Sequence, residues 1–563
     1  MERRALATYV AAIDSRQEPR QAEPAARGSD RGSDCGFGAL LACGLTLLAL
    51  AVDGYHPYAE DGGLYAAGVK WLLNPALYPH GREFVLEPMR LSLFAPAVAG
   101  IVRRSDLGLP VVLLVLHLAS VWATLFAAWM LAGRCWSGRS ARAGAVVLLA
   151  CWLTLPVAGT ALLLMDPYLT ARSFSTPCMV LALVGMLDLT ERNGVSTQAA
   201  RRWCELFICA GSMVVAAAMH PLMAAYALGT TLMLGCVRSS RRSVRLWGTV
   251  AASAAALALA GCLQAIARPQ SAEYARVAAT RTYWFLANWH WYELAGLAAP
   301  LAILGIFAWA YGSQAHISKA RCGAPAPELV RTLSCRRALA RMAVAAGTTA
   351  VLIAVLFARE GAATRLVARM QPLRAFQIVY LVMVLGLGAK LGERVLRRSA
   401  WRWGAAMLLL GGAMLGAERG AFPNSNHLEL PRVAARNLWV QAFVWVRGNT
   451  PQDALFALDA DYINAAGEDA QCFRAIAERS ALPDYSKDGG EASIAPELAG
   501  AWAMGQAAQQ GLSRSSRNAT EADAARIAAL RPLGVSWVVM AADAATSFDC
   551  PYRNAAVRVC RLR

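Results

Sequence analysis

The sequence predicts a polytopic α-helical membrane protein with about eleven transmembrane helices, followed by a small extracytoplasmic α/β domain. Three observations predict this class. The chain of 563 residues is 57% hydrophobic and only 16% charged, with a mean hydropathy of +0.38, whereas a soluble chain would be about a quarter charged. Apolar runs of roughly 18 residues or more recur, and each can cross a bilayer as a helix. This pattern ends near Glu418, so the remaining residues indicate a separate domain.

The basic balance of the chain, a formal net charge of +18, does not indicate a nucleic-acid partner. In a membrane protein, excess arginine belongs to cytoplasmic loops that face anionic headgroups, so membrane lipids are the expected partners. The 14 cysteines contain no Cys-x-x-Cys pair and therefore no metal signature. In the tail, Cys550 and Cys560 could form a disulfide if that domain lies in an oxidising compartment.

The membrane domain is predicted over residues 35–417. The polar residues before it, 1–34, are predicted to form a disordered cytoplasmic arm. The first apolar run, 36–52, indicates an uncleaved signal anchor. The other ten predicted spans are 107–131, 143–165, 178–189, two helices within 204–236 that meet at His220-Pro221, 246–266, 294–311, 342–357, 376–391 and 404–416. Lys and Arg are about twice as frequent in the resulting inside segments as in the outside loops. This predicts a plasma (inner) membrane protein with a cytoplasmic N-terminus and a periplasmic C-terminal domain.

Two soluble parts follow from this topology. The first extracytoplasmic loop is residues 53–106, and its segment 89–102 is too short to span, so we expect an amphipathic helix lying in the interface. The C-terminal domain is residues 418–563, where the apolar runs 454–458 and 535–540 predict buried strands. Trp439, Phe443 and Trp445 are expected on a helix that packs against the membrane surface.

Polar residues of the outer loops are predicted to converge on one face of the helix bundle. Glu60 and Asp61 stand side by side before Gly62-Gly63 in the first loop. The further candidates are His56, Tyr58, Asp166, Arg172, His220, Arg281, Arg365, Arg369 and Arg374. The positive-inside rule predicts few basic residues outside, and guanidinium groups bind phosphate bidentately. The arginines from 365 to 374 therefore suit a phosphate or pyrophosphate group.

Each of these features also has a structural explanation. A carboxylate pair beside Gly-Gly is often a solvated turn, and Asp166-Pro167 could simply end a helix. His220 before Pro221 could be a hydrogen-bonded structural histidine, and the arginines could contact lipid headgroups.

The joint arrangement resembles the GT-C superfamily of integral-membrane glycosyltransferases. Members of that superfamily have many spans, a long first extracytoplasmic loop with an acidic residue or pair, and often a C-terminal extracytoplasmic domain. Here Glu60-Asp61 matches the first-loop acidic motif, and Asp166 matches the acidic position of the second loop. The resemblance covers roughly residues 36–300, and HPYAEDGGLYAAGVKWLL also resembles bacterial membrane proteins of this type. The chain has no WWDYG-like motif of oligosaccharyltransferases, so the acceptor class stays open.

The resemblance implies transfer of a sugar from a polyprenyl-phosphate donor at the outer leaflet, with inversion. It implies Asp61, with Glu60 second, as the general base and the arginines as the phosphate site. It further implies that Asp166 and His220 orient the acceptor or a divalent metal. Two alternatives stay open: a non-catalytic scaffold of cell-envelope assembly, and a transporter or flippase of lipid-linked substrates.

Overall fold

A computed structural model of the chain describes residues 29–191, 198–239, 241, 243–321, 327–513 and 518–562. Residues 1–28, most of the predicted cytoplasmic arm, lie outside the described residues. The chain divides into two compact units, Met1–Leu41 and Ala42–Arg563. The first unit is described from Ser29, where the first helix begins, and the cavity lies within the second unit.

Sixteen α-helices precede the C-terminal domain in the described part of the chain. They are α1 (Ser29–Asp53), α2 (Glu60–Leu73), α3 (Glu83–Leu86), α4 (Phe94–Ser105), α5 (Leu109–Cys135), α6 (Arg139–Cys151), α7 (Ala171–Leu189), α8 (Gln198–Met219), α9 (Pro221–Arg238), α10 (Thr249–Ile266), α11 (Ala272–Ala279), α12 (Trp291–Arg321), α13 (Pro327–Phe357), α14 (Leu366–Arg369), α15 (Phe376–Leu391) and α16 (Ala400–Ala421). The interfacial helix expected over 89–102 corresponds to α4.

Seven helical segments of the described chain are long and apolar enough to cross a membrane. They are Asp34–Asp53, Leu109–Cys135, Ala171–Leu189, Val244–Ile266, Trp291–Tyr311, Glu328–Phe357 and Leu366–Leu396. The α3–α4 region would add an eighth if its two helical parts, which are bent by 95°, formed one broken span. The other four predicted spans correspond to α6, α8, α9 and α16, which are not among these segments.

The third predicted span, 143–165, is shorter than expected because its helix ends at Cys151. Pro156 lacks an N–H and cannot continue the helical hydrogen bonds. The chain instead folds back on itself, with Val157 N donating to Leu162 O at 2.8 Å and Met165 N to Leu153 O at 2.7 Å. Residues 152–170 therefore form a loop rather than the end of a span.

Glycines allow α6 and α15 to pack closely. A Cβ added at Gly144 or Gly388 would collide with the backbone of the other helix, and one at Gly392 would collide with Ser140 O. Small residues let helix backbones approach in membranes, where packing rather than hydrophobic burial drives association. This contact joins an early and a late helix of the bundle.

The C-terminal domain is a five-stranded mixed sheet with helices on its two faces. Its strands are β1 (Leu455–Ala457), β2 (Ser480–Ala481), β3 (Trp537–Ala541), β4 (Tyr552–Arg553) and β5 (Val557–Arg561), in the order β2-β1-β3-β5-β4. β1 is parallel to β2 and β3, whereas β5 is antiparallel to β3 and β4. Its helices are α17 (Leu438–Asn449), α18 (Phe473–Ala477), α19 (Lys487–Ile494), α20 (Ala499–Gln509) and α21 (Ala519–Leu530).

Side chains of the two predicted strands alternate between two buried clusters, as the pleat requires. Phe456 and Trp537 point to one cluster, whereas Leu455 and Val538 point to the other. Helix α17 covers the first cluster, and its Trp439 is only 4% exposed there. The expectation that this helix lies against the membrane surface is therefore wrong, because its aromatic face packs on the sheet.

The first loop packs directly on the C-terminal domain. Tyr55 and Ala59 form isolated β-bridges with Leu428 and Gln471. The Lys70 ammonium donates to Ala475 O at 2.7 Å. These contacts place the start of α2, which carries Glu60 and Asp61, against residues more than 400 positions later in the chain.

Candidate active site

One large cavity lies where the first loop, the membrane helices and the C-terminal domain meet. Its volume is about 960 Å³, the size of a ligand pocket. Its wall includes α2, the 152–170 loop, the His220-Pro221 break and α19. The ionisable side chains that line it include Glu60, Asp61, Glu87, Asp166, Arg172, His220, Arg281, Arg369, Arg374, Glu418, Lys487 and Glu491. Eight of the eleven residues singled out in the sequence are among them.

Glu60 and Asp61 form the first turn of α2 and are not part of a solvated turn. The two glycines after them are required by close packing: a Cβ at Gly62 would approach the Tyr168 ring to 3.0 Å, and one at Gly63 would collide with Cys472. The pair is therefore fixed between the second loop and the C-terminal domain.

Asp61 lies between two cations. Arg172 Nη1 donates to Asp61 Oδ2 at 2.9 Å, and the Lys487 ammonium donates to Asp61 Oδ1 at 3.1 Å. Arg172 Nη2 donates to Asp166 Oδ2, also at 2.9 Å, so one guanidinium joins the two predicted carboxylates. Lys487 forms a second ion pair with Glu60. The carboxylates Glu60, Asp61 and Asp166 thus form a connected network of ion pairs with the two cations Lys487 and Arg172.

Because of these contacts and of burial, the carboxyl groups of the cavity have different pKa values. Burial alone would raise the pKa of Asp61, but Lys487 and Arg172 outweigh it and hold that pKa well below its usual range. Burial raises the pKa of Asp166, and the single cation Arg172 only partly opposes it. Glu491 is half-buried near Asp61 and other carboxylates, and both the burial and these charges raise its pKa to about 8. The cavity thus contains one strongly acidic carboxyl group and one that is protonated at neutral pH.

His220 is the N-cap of α9. Its Nδ1 accepts a hydrogen bond from Met223 N at 3.5 Å. Burial, together with Arg172 and Arg374, lowers the pKa of His220 to about 3. The ring is therefore neutral and carries its hydrogen on Nε2, a donor available to a molecule in the cavity.

The four predicted arginines of the later loops differ in what they contact. Arg374 lines the cavity, and within the described residues its guanidinium has no hydrogen bond and no carboxylate partner. Arg281 donates to Ser486 O at 2.7 Å, and Arg369 donates to Ile494 O at 3.0 Å. Arg365 does not line the cavity, because its guanidinium donates to carbonyl groups of its own loop. Arg374 is thus the arginine of this group with most freedom to bind an anion.

Two predicted first-loop residues lie outside the cavity wall. His56 is fully buried, with Nδ1 at 3.3 Å from Glu429 Oε1 and its ring stacked on Phe422. Tyr58 packs in the interface with the C-terminal domain, beneath the Lys70 ammonium. Both hold the first loop on the domain.

Four residues of the cavity wall that are not glycine have left-handed backbone angles. Their φ values are 51° at Glu60, 47° at Ala158, 53° at Ala161 and 51° at Gln371. Each costs about 1 kcal/mol relative to a relaxed conformation, and such strain clusters at ligand sites.

The fold is similar to that of an arabinofuranosyltransferase. Two cryo-EM structures of AftD from Mycobacteria match: one, of a mutant, has a TM-score of 0.47 and 15% identity over 94% of this chain and 41% of the matched chain. The other has a TM-score of 0.42 and 14% identity over 90% and 35%. This chain therefore spans about two fifths of the length of the structures it matches.

The matched proteins are arabinofuranosyltransferases. With TM-scores below 0.5, however, the likeness carries no argument about the reaction. No family model and no curated protein matches the sequence. The function proposed below rests on the cavity.

A divalent metal does not fit the side chains of this cavity. In the described ranges no group of three or more His, Cys, Asp or Glu residues could hold a metal ion. Oxygens of Asp61 and Asp166 are joined through Arg172, and Lys487 occupies the other side of Asp61. We derive no catalytic step through a metal.

Lys487 and Glu491 were missed in the sequence. They lie in the stretch Lys487-Asp488-Gly489-Gly490-Glu491, a second charged pair before Gly-Gly that parallels Glu60-Asp61-Gly62-Gly63. The parallel is visible in the sequence, but only the folded chain brings the two helix starts together.

Proposed function

We propose that this protein is a membrane glycosyltransferase that transfers a sugar from a polyprenyl-phosphate donor to a hydroxyl of an acceptor. The observation that carries the proposal is the shared cavity. A first-loop carboxylate, Asp61, lines the same wall as Arg374, whose guanidinium has no partner among the residues that the structure describes. A phosphate group suits Arg374, because guanidinium binds phosphate oxygens through parallel hydrogen bonds.

The reaction is a single displacement with inversion. The acceptor hydroxyl gives its proton to the Asp61 carboxylate, and its oxygen attacks the anomeric carbon of the donor. The bond from that carbon to the phosphate oxygen breaks, and the electron pair leaves with the phosphate. Arg374 stabilises the negative charge that develops there. Asp166 keeps Arg172, and through it Asp61, in position.

Donor binding also makes Asp61 a better base. Lys487 and Arg172 hold the Asp61 pKa far below its usual range, so the carboxylate is a weak base in this arrangement. A phosphate bound at Arg374 adds negative charge to the cavity wall that Asp61 shares, and this charge raises the pKa of the Asp61 carboxyl. The site is then basic only when the donor is bound.

The proposed topology has eleven spans, with α6, α8, α9 and α16 added to the seven apolar segments. It places the cavity and the C-terminal domain on the periplasmic side of the plasma (inner) membrane. The Cys550–Cys560 disulfide supports this placement, since such bonds persist in oxidising compartments.

The proposal is tested with purified protein in lipid vesicles and a panel of polyprenyl-phosphate pentoses and hexoses. Asp61→Asn should lower the transfer rate by about 100-fold or more, because the acceptor proton then has no base. Asp543→Asn changes an exposed carboxylate outside the cavity and should leave the rate unchanged. The product should have the opposite anomeric configuration to the donor. Full activity of Asp61→Asn would remove the base, and the absence of transfer by the unaltered protein would favour a scaffold or flippase.

A further inference from the structure

Helix α19 of the C-terminal domain presents one face to the cavity. Lys487, Gly490, Glu491 and Ile494 line the wall at positions i, i+3, i+4 and i+7, which share one side of a helix. The C-terminal domain is therefore part of the site and does not merely cover it.

The start of α19 is held firmly in place. Asp484 Oδ1 accepts from Lys487 N at 2.6 Å, and Trp502 Nε1 donates to Asp484 O at 2.8 Å. Arg474 binds both oxygens of Asp488, at 2.6 and 2.7 Å. A side chain on this helix is thus placed with little freedom, as a binding site requires.

Glu491 is the charged member of this face whose side chain has no partner in the described part of the chain. Its carboxyl has no hydrogen bond and no ion pair with any residue that the structure describes. Lys487, one turn earlier, is engaged by Glu60 and Asp61. A free carboxyl therefore faces the cavity beside the proposed base.

The charged and titratable groups around Glu491 come from every element packed on α19. They are Lys487 and Asp488 of its own helix, Glu60, Asp61 and Tyr65 of α2, Glu87 after α3, the exposed Glu83 of α3, the exposed Glu273 and Arg276 of α11, the exposed Glu497 that follows α19, and Arg281, Arg369 and Arg374 of the cavity wall. Burial is the largest effect, and Asp61, Glu87 and Asp488 add to it, so the pKa rises to about 8. At neutral pH the carboxyl is an O–H donor with a carbonyl acceptor.

We propose that Glu491 binds the acceptor, donating a hydrogen bond to a hydroxyl adjacent to the one that Asp61 deprotonates. The acceptor class is a sugar or another polyhydroxylated molecule, since a protonated carboxyl matches a hydroxyl pair as both donor and acceptor. Asn464, Tyr485 and Ser486 line the same cavity with amide and hydroxyl groups. This inference rests on the proposed function, but it concerns acceptor binding, which needs no turnover.

The test is equilibrium binding of octyl β-glucoside and octyl α-arabinofuranoside, below their micellar concentrations, to the full chain in lipid nanodiscs. Glu491→Ala should weaken binding by about tenfold, the value of one buried hydrogen bond. Glu491→Gln keeps a neutral donor and acceptor and should bind like the unaltered protein. Binding to the unaltered protein should weaken above about pH 8, where Glu491 ionises, and this loss should be absent in Glu491→Gln.

Glu497→Gln is the matched control, because Glu497 follows α19, pairs with Arg90 and lies outside the cavity. An infrared band of a protonated carboxyl that disappears in Glu491→Gln, and not in Glu497→Gln, would support the protonation state. Equal binding in Glu491→Ala and the unaltered protein would overturn the inference, as would failure of both glycosides to bind. Glycoside binding without sugar transfer would leave the inference intact and count against the proposed function instead.

Discussion

The cavity arginines Arg172 and Arg374 differ in their contacts and therefore in their proposed roles. Arg172 is neutralised by Asp61 and Asp166 and fixes both in place. Arg374 has neither a carboxylate partner nor a hydrogen bond among the described residues, although its Nε is buried. A buried cation without a partner is costly, and a bound anion would remove that cost. Arg172 therefore positions the carboxylates, whereas Arg374 is placed to bind the ligand.

Arg374→Ala should weaken the binding of the donor phosphate by about 10- to 100-fold, the range for hydrogen bonds to charged groups. The measurement is equilibrium binding of farnesyl phosphate to the purified protein at two salt concentrations, with a smaller salt dependence in the variant. Arg365→Ala is the control, because the Arg365 guanidinium donates to Ala362 and Glu360 carbonyls outside the cavity. Equal losses in the two variants would contradict a specific role for Arg374.

The sequence allowed part of the cavity wall to be predicted, because the predicted topology groups the loops that carry Asp61, Asp166 and Arg374 on one face of the bundle. It did not indicate Lys487, which is 426 positions from Asp61 and reaches it only through the docking of the C-terminal domain. Nor could the i, i+4 spacing of Arg365 and Arg369 show that the first binds its own loop. Contacts set by tertiary packing leave no local pattern.

Among the elements, helix α2 depends on its two glycines for its position. Gly63→Ala would force a Cβ against Cys472 and to within 2.6 Å of Tyr58 O. Overpacking of this kind costs about 1–3 kcal/mol, so we expect a lower Tm and a loss of transfer as Asp61 shifts. Thermal unfolding and the transfer rate measure the two effects.

Gly448→Ala is the matched control, since it lies inside α17 and an added Cβ meets nothing within 4 Å. Alanine favours a helix by about 0.8–1 kcal/mol over glycine, so this variant should be equally or more stable. A Tm for Gly63→Ala equal to that of the unaltered protein would show that α2 can move away from the domain.

Element types were easier to predict than element ends. Short apolar runs correctly indicated the buried strands around Phe456 and Val538. The third span was overextended because residues 152–165 are apolar whether they form a helix or a buried loop, and only Pro156 gave a contrary signal. The aromatic face of α17 was assigned to the membrane, since apolarity does not distinguish a bilayer from a sheet.

At the scale of the whole molecule, the site depends on ion pairs between distant parts of the chain. The first loop supplies the carboxylates Glu60 and Asp61, and the C-terminal domain supplies Lys487. Glu491 lies at the same junction, where burial and, to a smaller extent, the neighbouring carboxylates Asp61, Glu87 and Asp488 raise its pKa so that it retains its proton at neutral pH. Folding is therefore coupled to the protonation of this residue.

This coupling predicts how stability changes with pH. Glu491 has a pKa of 4.5 in the unfolded chain and about 8 in the folded protein. Between those values the folded protein binds a proton that the unfolded chain has released, so stability falls as the pH rises through that window. Glutamine cannot ionise, and Glu491→Gln should therefore be stabilised relative to the unaltered protein by up to a few kcal/mol, since one pKa unit is about 1.4 kcal/mol.

The measurement is thermal unfolding of the purified full chain in detergent, from about pH 4 to pH 9. The Tm difference between Glu491→Gln and the unaltered protein should be near zero at the acid end, grow as the pH rises, and level off near pH 8. Glu497→Gln changes an exposed carboxylate and should show no such growth. A difference that does not vary with pH would mean that Glu491 is already ionised in the folded protein, and that the junction tolerates its charge.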